Sequence, residues 1–322
     1  MVNMSMTDHQ LAPDHAQLIG VDWGSTGFRA FLFGQNGAVL ETRTAAAGAS
    51  QMTDAQAFAS TLHHYTADWQ QNHALPVIAC GMVGSRHGWQ EVPYALCAAH
   101  SAQLGAALGQ IRNTNVYLVP GLITAATDLP PDVMRGEETQ IVGALHAVAQ
   151  ARAASCIVLP GTHSKWVQIA DEKIIDFATH MTGELFAVLR NHSVLGRLLP
   201  LEAQPFEPTA FLAGVGAAQR DGQLGVMHQL FAVRTLGLTE KLSAQGLADY
   251  LSGLLIGHEI RAGLVWRNAA GLDGTPLVLV GEPALCQRYR HAMTCFDLPV
   301  DTILDNTAAT GLWHLARAAQ LI

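Results

Sequence analysis

Three stretches of this sequence combine carboxylates, hydroxyls and glycines in an order that phosphate chemistry uses. In Asp22-Trp23-Gly24-Ser25-Thr26-Gly27 a carboxylate stands at the end of a short apolar run. Glycines that let backbone approach a ligand follow, with hydroxyls able to bond phosphate oxygens. Such a turn suits a metal-bound phosphate. It is not a P-loop, because the Gly-Lys-Ser/Thr ending is missing and the next residues alternate like a strand. A tight hairpin turn would account for the glycines but not for the carboxylate, nor for the second copy of the pattern at Gly161-Thr162-His163-Ser164-Lys165. The third stretch, Arg135-Gly136-Glu137-Glu138-Thr139-Gln140, puts two acids in the first turn of a helical pattern. Acids there offset the helix dipole by a few tenths of a kcal/mol up to about 1.

The segment from Cys80 to Tyr94 carries several kinds of polar group and three glycines directly after an apolar strand. That composition fits a polar acceptor such as a carboxylated sugar, or simply a glycine-rich surface loop.

These groups need elements to hold them. Leu18–Val21 and Phe28–Phe33 read as strands flanking the first loop, and Ala38–Thr42 as a third strand after the turn at Gly34-Gln35-Asn36-Gly37. Cys156–Leu159 and Lys165–Ile169 flank the second loop, and Ile174–Phe177 follows a second turn. The chain therefore contains a cryptic duplication. Between the copies, Ala55–His64 and Ala98–Ile111 read as helices, and Pro76–Cys80 and Val116–Val119 as buried strands. Glu137–Ala151 reads as a helix joining two lobes. Later come a long helix over Leu247–Val265, a strand over Leu277–Val280 and a terminal helix over Thr307–Gln320, N-capped by Asn306 or Asp305. The expected division is a polar leader at residues 1–15, a first lobe at 16–150, and a second lobe at 151–322 that ends in the returning terminal helix.

The composition sets bounds on function. The 322 residues are 49% hydrophobic and 14% charged, as in a globular enzyme. A net charge of -8 argues against nucleic-acid or anionic-membrane partners, which select basic surfaces. Five scattered cysteines without a CxxC pair point to a reducing cytoplasm rather than to disulfides or zinc. No uninterrupted apolar run is long enough to span a bilayer. The oligomeric state stays open, homo-oligomers included.

Two hairpin loops that each grasp nucleotide phosphates resemble the actin, hexokinase and sugar-kinase superfamily. The strings GMVGSRxGWxExPY from Gly81, MRGEETQ from Met134, PGTHSKW from Pro160 and THMTGELF from Thr179 are similar to those of the 2-dehydro-3-deoxygalactonokinase family. The resemblance implies an α/β, two-lobed actin-like ATPase fold of ribonuclease H-like lobes, each a mixed sheet with flanking helices, with the nucleotide in the cleft between them. It implies ATP and Mg2+ as cofactors and a small sugar acid as partner, phosphorylated at the 6-hydroxyl of 2-dehydro-3-deoxy-D-galactonate.

By the same resemblance, Asp22 holds Mg2+ through water, Gly24, Ser25 and Thr26 face the γ-phosphate, and Gly161, Thr162 and His163 face the β-phosphate side. Arg29 and Lys165 add positive charge there, or are exposed strand residues. An acid opening the connecting helix deprotonates the acceptor, Glu138 first and Glu137 next. Gly84, Ser85, Arg86, Trp89, Glu91 and Tyr94 are the substrate-side candidates, with Arg86 facing the carboxylate. Thr182, Gly183 and Glu184, with Arg190 and His192, could close the site, although Thr182 as a helix N-cap explains them without a ligand. The adenine is expected between the Gly253–Glu259 helix and the Val280–Pro283 turn. There Gly253, Gly257 and Gly281 admit the base, or Gly253 and Gly257 serve close helix packing. Competing functions are a kinase for another sugar acid, a non-transferring scaffold ATPase of the same fold, and a phosphohydrolase with the same acidic helix start.

Overall fold

In the computed structural model the described residues are 15–71, 74–125, 130–200, 202 and 204–322. Apart from His15, the expected polar leader lies outside them. The chain forms two compact units, Met1–Ala149 with Thr307–Ile322, and Gln150–Asn306.

In the first unit, strands β1 (Leu18–Trp23), β2 (Phe28–Phe33) and β3 (Val39–Ala45) form an antiparallel meander. Helix α1 (Ala55–Thr66) follows, its start capped by Asp54, whose side chain accepts from the Ala57 N–H at 2.8 Å. Strand β4 (Val77–Gly81) pairs parallel with β1. Then come β5 (Ala95–Leu96), α2 (Ser101–Ala106), β6 (Gly109–Gln110), β7 (Val116–Leu118), β8 (Leu122–Ile123), β9 (Val133–Met134) and α3 (Glu137–Ala147). The main sheet runs β3-β2-β1-β4-β7-β6, and β5-β8-β9 form a small separate sheet. Its core gathers Ile19, Val21, Trp23, Phe28, Phe58 and Trp69, and aromatic edges meet there, with Trp23 and Phe28 centroids 4.9 Å apart at 86°.

The second unit repeats the plan. Strands β10 (Ala154–Leu159), β11 (Ser164–Ala170) and β12 (Lys173–His180) form the meander, and α4 (Thr182–His192), α5 (Pro208–Asp221), α6 (Val226–Leu238) and α7 (Ala244–Ala269) follow. Strands β13 (Leu277–Val280) and β14 (Thr302–Leu304) flank α8 (Pro283–Thr294). The order β12-β11-β10-β13-β14, with β13 parallel to β10, matches β3-β2-β1-β4-β7 strand for strand. This is the duplicated α/β plan of the actin-like ATPases, and it confirms the expected duplication.

Three expectations are corrected. The helix expected over 98–111 is helical only at Ser101–Ala106, and Gly109-Gln110 pairs with β7 instead. Gly109 packs so close to Val92 that an added Cβ would stand 2.6 Å from its methyl carbon. The last helix, α9 (Ala308–Ala318), belongs to the first unit rather than to the second lobe. Its buried stripe of Ala308, Leu312, Leu315 and Ala316 packs on α3 and β1, and the Thr307 hydroxyl donates to the Gln140 carbonyl at 2.6 Å. Thr307 is its N-cap, without a side-chain capping bond, in place of Asn306 or Asp305.

Candidate active site

Asp22 is the penultimate residue of β1, in register with Arg29 on β2 and Cys80 on β4. With Gly24, Phe28 and Arg29 it lines a depression of ≈ 260 Å³. The Cys80 thiol donates to its carboxylate at 3.9 Å. Burial and the negative charges of Asp22 and Glu138 push the Cys80 thiol well up, so the thiol stays protonated. A positive φ at Gly81 (+91°) turns the chain out of β4, and a Cβ there would stand 2.6 Å from the Trp23 carbonyl oxygen.

The loop after β1 is braced from one side. The Gly24 carbonyl accepts from the Ala49 N–H at 2.9 Å, and the Ser25 carbonyl from the Ser50 N–H at 3.1 Å and hydroxyl at 2.6 Å. Ser25 and Thr26 remain exposed.

The two acids opening α3 occupy different environments. Glu138 is fully buried; its carboxyl accepts from the Gly136 N–H at 2.6 Å and from the Thr139 hydroxyl at 2.9 Å. Burial, with the neighbouring Glu137 charge second, raises its pKa to about 8. Glu137 is only partly buried and accepts from the Arg135 N–H at 3.1 Å. In this conformation Glu137, not Glu138, is the acid that a ligand can touch.

The segment from Met82 to Tyr94 is a set of closed turns: Gly88 N–H donates to Ser85 O at 2.9 Å, Trp89 N–H to Val83 O at 2.8 Å, and Val92 N–H to Gly84 O at 3.0 Å. Gly84 is buried inside it, while Arg86, Glu91 and Tyr94 are exposed and Ser85 is half-buried. Trp89 is half-buried and packs against the core, stacked on Phe58 at 6.1 Å, which accounts for it without a ligand. Arg135 was not anticipated. Its guanidinium lies 4.3 Å above the Tyr94 ring and donates to the Val92 carbonyl at 2.8 Å, while its buried Nε and Nη1 make no hydrogen bond.

In the second unit the Gly161–Ser164 loop borders a cavity of ≈ 580 Å³, with Phe186, Leu255, Ile256, Leu285 and Arg288 on its other sides. Thr162 and His163 are exposed. Lys165 is buried rather than an exposed strand residue, and its ammonium donates to the His163 carbonyl at 2.9 Å. Glu184 bonds the His163 ring through its carboxylate, and its N–H donates to the Thr162 carbonyl at 3.0 Å. Thr182 is the first helical residue of α4 rather than its N-cap, which is Met181. Gly281, at φ +150°, leads into α8, whose start is capped by the Glu282 carboxylate.

The chain matches the family model described as 2-keto-3-deoxy-galactonokinase over residues 22–315. This chain belongs to that family. It is 36% identical over 304 residues to the 2-dehydro-3-deoxygalactonokinase of Escherichia coli (strain K12), covering 94% of this chain and 98% of that protein. It is 38% identical over 307 residues to the "Probable 2-dehydro-3-deoxygalactonokinase DgoK1" of Rhizobium meliloti (strain 1021), covering 92% and 96%. A crystal structure of a Sinorhizobium meliloti protein assigned as a 2-dehydro-3-deoxygalactonokinase superposes with a TM-score of 0.84 at 35% identity, covering 94% of this chain and 98% of that one.

In this member of the galactonokinase family two of the expected nucleotide residues are corrected. Gly253 and Gly257 face α5: a Cβ on Gly253 would stand 2.0 Å from the Phe211 carbonyl oxygen, and one on Gly257 2.7 Å from the Ala218 methyl. The other face of the same helix turns Ser252, Leu255 and Ile256 to the cavity. Arg190 borders a separate recess with Pro200 and Asp249, and His192 is exposed. The cavity residues of α8 were missed although Leu285, Cys286, Tyr289, Ala292 and Met293 recur at helical spacing, because polar residues between them keep the Pro283–Thr294 segment low in apolar content. Among the described residues no cluster of three or more metal-ligating side chains occurs, and no helix is long and apolar enough to cross a membrane.

Proposed function

We propose that this chain transfers the γ-phosphoryl group of ATP to the 6-hydroxyl of 2-dehydro-3-deoxy-D-galactonate, giving 2-dehydro-3-deoxy-6-phosphogalactonate and ADP. One observation carries the reading within the family: Asp22 and Glu138, the neighbour of Glu137 at the start of α3, both act on the Cys80 thiol beside a loop of exposed hydroxyls.

The sugar acid is assigned to the rim of the Ser85–Tyr94 turns, where Arg86, Glu91 and Tyr94 offer exposed polar groups and Arg135 holds Tyr94 in place. Glu137 takes the proton of the 6-hydroxyl as its oxygen attacks the γ-phosphorus and the bond to the β-phosphate oxygen breaks. General-base assistance of this kind contributes about 10²–10⁴ in rate. Glu138, held protonated near neutral pH, is assigned to fixing the helix start through the Gly136 N–H rather than to the proton transfer.

Gly24, Ser25, Thr26 and Arg29 are assigned to the γ-phosphate side. Gly161, Thr162 and His163 are assigned to the β-phosphate side, with the Lys165 charge behind them. The apolar cavity beside Leu255, Ile256 and Leu285 is assigned to the adenosine. Mg2+ suits the hard carboxylate oxygen of Asp22, because that ion is ordinarily held by one or two carboxylates together with substrate phosphates. When bound it would neutralise charge on those phosphates. The cytoplasm is the proposed compartment, where the five free thiols persist.

The test is coupled ADP release from MgATP with the galactonate and gluconate epimers of the 2-keto-3-deoxy sugar acid, beside an acceptor-free blank. Turnover selective for the galactonate epimer is expected. Acceptor-independent release alone would overturn the assignment.

A further inference from the structure

Behind the second hairpin loop lies a line of buried polar groups that the proposed reaction does not use. Ser164, Tyr289 and Glu259 are 0%, 1% and 4% exposed. The Tyr289 hydroxyl donates to a Glu259 carboxylate oxygen at 2.6 Å, and the other oxygen accepts from the Trp166 indole N–H at 3.0 Å. Ser164 Oγ stands 3.0 Å from the Tyr289 oxygen, and the Thr182 side chain bonds that oxygen as well.

Counting protons fixes the direction of this chain. A phenol oxygen has one proton and two acceptor positions. With its proton committed to Glu259, Tyr289 accepts from Ser164, and the Thr182 hydroxyl beside it can take its remaining acceptor position. The Ser164 proton has the Tyr289 oxygen at 3.0 Å and the Gly161 carbonyl at 3.4 Å in reach, the phenol being the nearer, and its lone pair accepts from the Gly161 N–H at 3.4 Å.

The two hydroxyls that Tyr289 gathers belong to the two elements that hold the loop. Ser164 is the first residue of β11, where the loop closes, and Thr182 is the first residue of α4. Behind Thr182, a Cβ on Gly183 would stand 2.5 Å from the Gly161 carbonyl oxygen, and the Thr162 carbonyl accepts from the next N–H of α4. One phenol oxygen thus sets both supports of the Gly161-Thr162 backbone. An arrangement satisfied at every atom is rigid, whereas removing one member leaves buried polar groups unpaired.

We propose that Tyr289, oriented by Glu259, is a positioning residue for the second hairpin loop, fixing through Ser164 and Thr182 the backbone that meets the nucleotide phosphates. The inference rests on the assignment of that loop to phosphate binding. Tyr289 also borders the cavity assigned to the adenosine, and Tyr289→Phe keeps its ring there, so loss of the hydroxyl alone weakens recognition of phosphates and spares recognition of the nucleoside, a distinction that a general packing role would not make.

The experiment is calorimetric titration of the full chain and of Tyr289→Phe with MgADP and with adenosine, together with KM for ATP and for the sugar acid. The variant is expected to bind MgADP about three- to tenfold more weakly, the loss of roughly one hydrogen bond. Adenosine affinity and KM for the sugar acid should stay within about twofold of the unmodified chain, the range in which no hydrogen bond is lost. Equal weakening of MgADP and adenosine, or no weakening of either, overturns the positioning role. Absence of MgADP binding by the unmodified chain overturns the nucleotide assignment itself, and this inference with it. Ser164→Ala removes the other end of the same bond and should show the same phosphate-selective loss, so it decides the matter if Tyr289→Phe does not fold.

Discussion

Gly48 meets Ser25 so closely that a Cβ on the glycine would stand 2.1 Å from the Ser25 carbonyl oxygen. Gly183 meets Gly161 in the same way at 2.5 Å. Each of these glycines follows the third strand of its sheet and braces the loop between the first two. The duplication thus extends beyond strand order to the support behind each loop.

These contacts are with backbone, which a rotamer change cannot relieve. Gly48→Ala and Gly183→Ala are each expected to displace a loop and lower kcat/KM by about tenfold or more, the effect of misplacing bound groups by a fraction of an ångström. Steady-state kinetics beside a circular dichroism spectrum of unchanged shape would check this.

The pair Glu137 and Glu138 should separate kinetically. Glu137→Gln is expected to lower kcat by about 10²-fold or more with KM for ATP little changed, as for loss of a general base. Glu138→Gln should retain most of kcat, because an amide oxygen can still accept from the Gly136 N–H. Comparison of the two kcat values decides the assignment, and the reverse order would move the base to Glu138.

Stability should fall with rising pH on account of Glu138. Its folded pKa of about 8 lies above the ordinary value of 4.5, so between those pH values the folded chain keeps a proton that the unfolded chain has released. The unfolded state then binds fewer protons, and stability declines by up to about 1.4 kcal/mol per pH unit, levelling off outside the window. Glu138→Gln removes this contribution. Urea midpoints of both proteins at pH 5 and pH 8 should show the variant gaining on the parent at the higher pH.

Arg135 secures Tyr94 and the Val92 carbonyl from beneath the acceptor turns. Arg135→Ala is expected to raise KM for the sugar acid by about tenfold, roughly the worth of a charged hydrogen bond, and to leave KM for ATP near the parent value. A parallel rise in both constants would mean a general loss of fold instead.

Asp22→Asn keeps the shape of the β1 end and removes the charge that suits a divalent cation. The expected result is loss of most turnover and a shift to higher Mg2+ in the concentration dependence of the remainder. An unchanged Mg2+ profile would remove Asp22 from the metal assignment.

What the sequence determined by itself is local. Apolar runs around Asp22 and Gly161 specify strands, the glycine and hydroxyl turns between them specify hairpins, and the acids after Gly136 mark a helix start, because each of these depends on residues within a few positions. The duplication follows from repeating those local signals. Tertiary structure decided which way each helix face points and which polar groups meet. Gly253 and Gly257 fit an adenine site or a helix contact equally well by spacing, and only α5 pressed against them settles the choice. Glu137 and Glu138 are chemically identical neighbours, distinguished by the burial of Glu138 near Cys80 of β4. Tyr289 lies 125 positions from the serine it bonds, a pairing that no local pattern reports. Burial and the pairing of distant polar groups are set by how whole elements pack, a property that no short window of sequence contains.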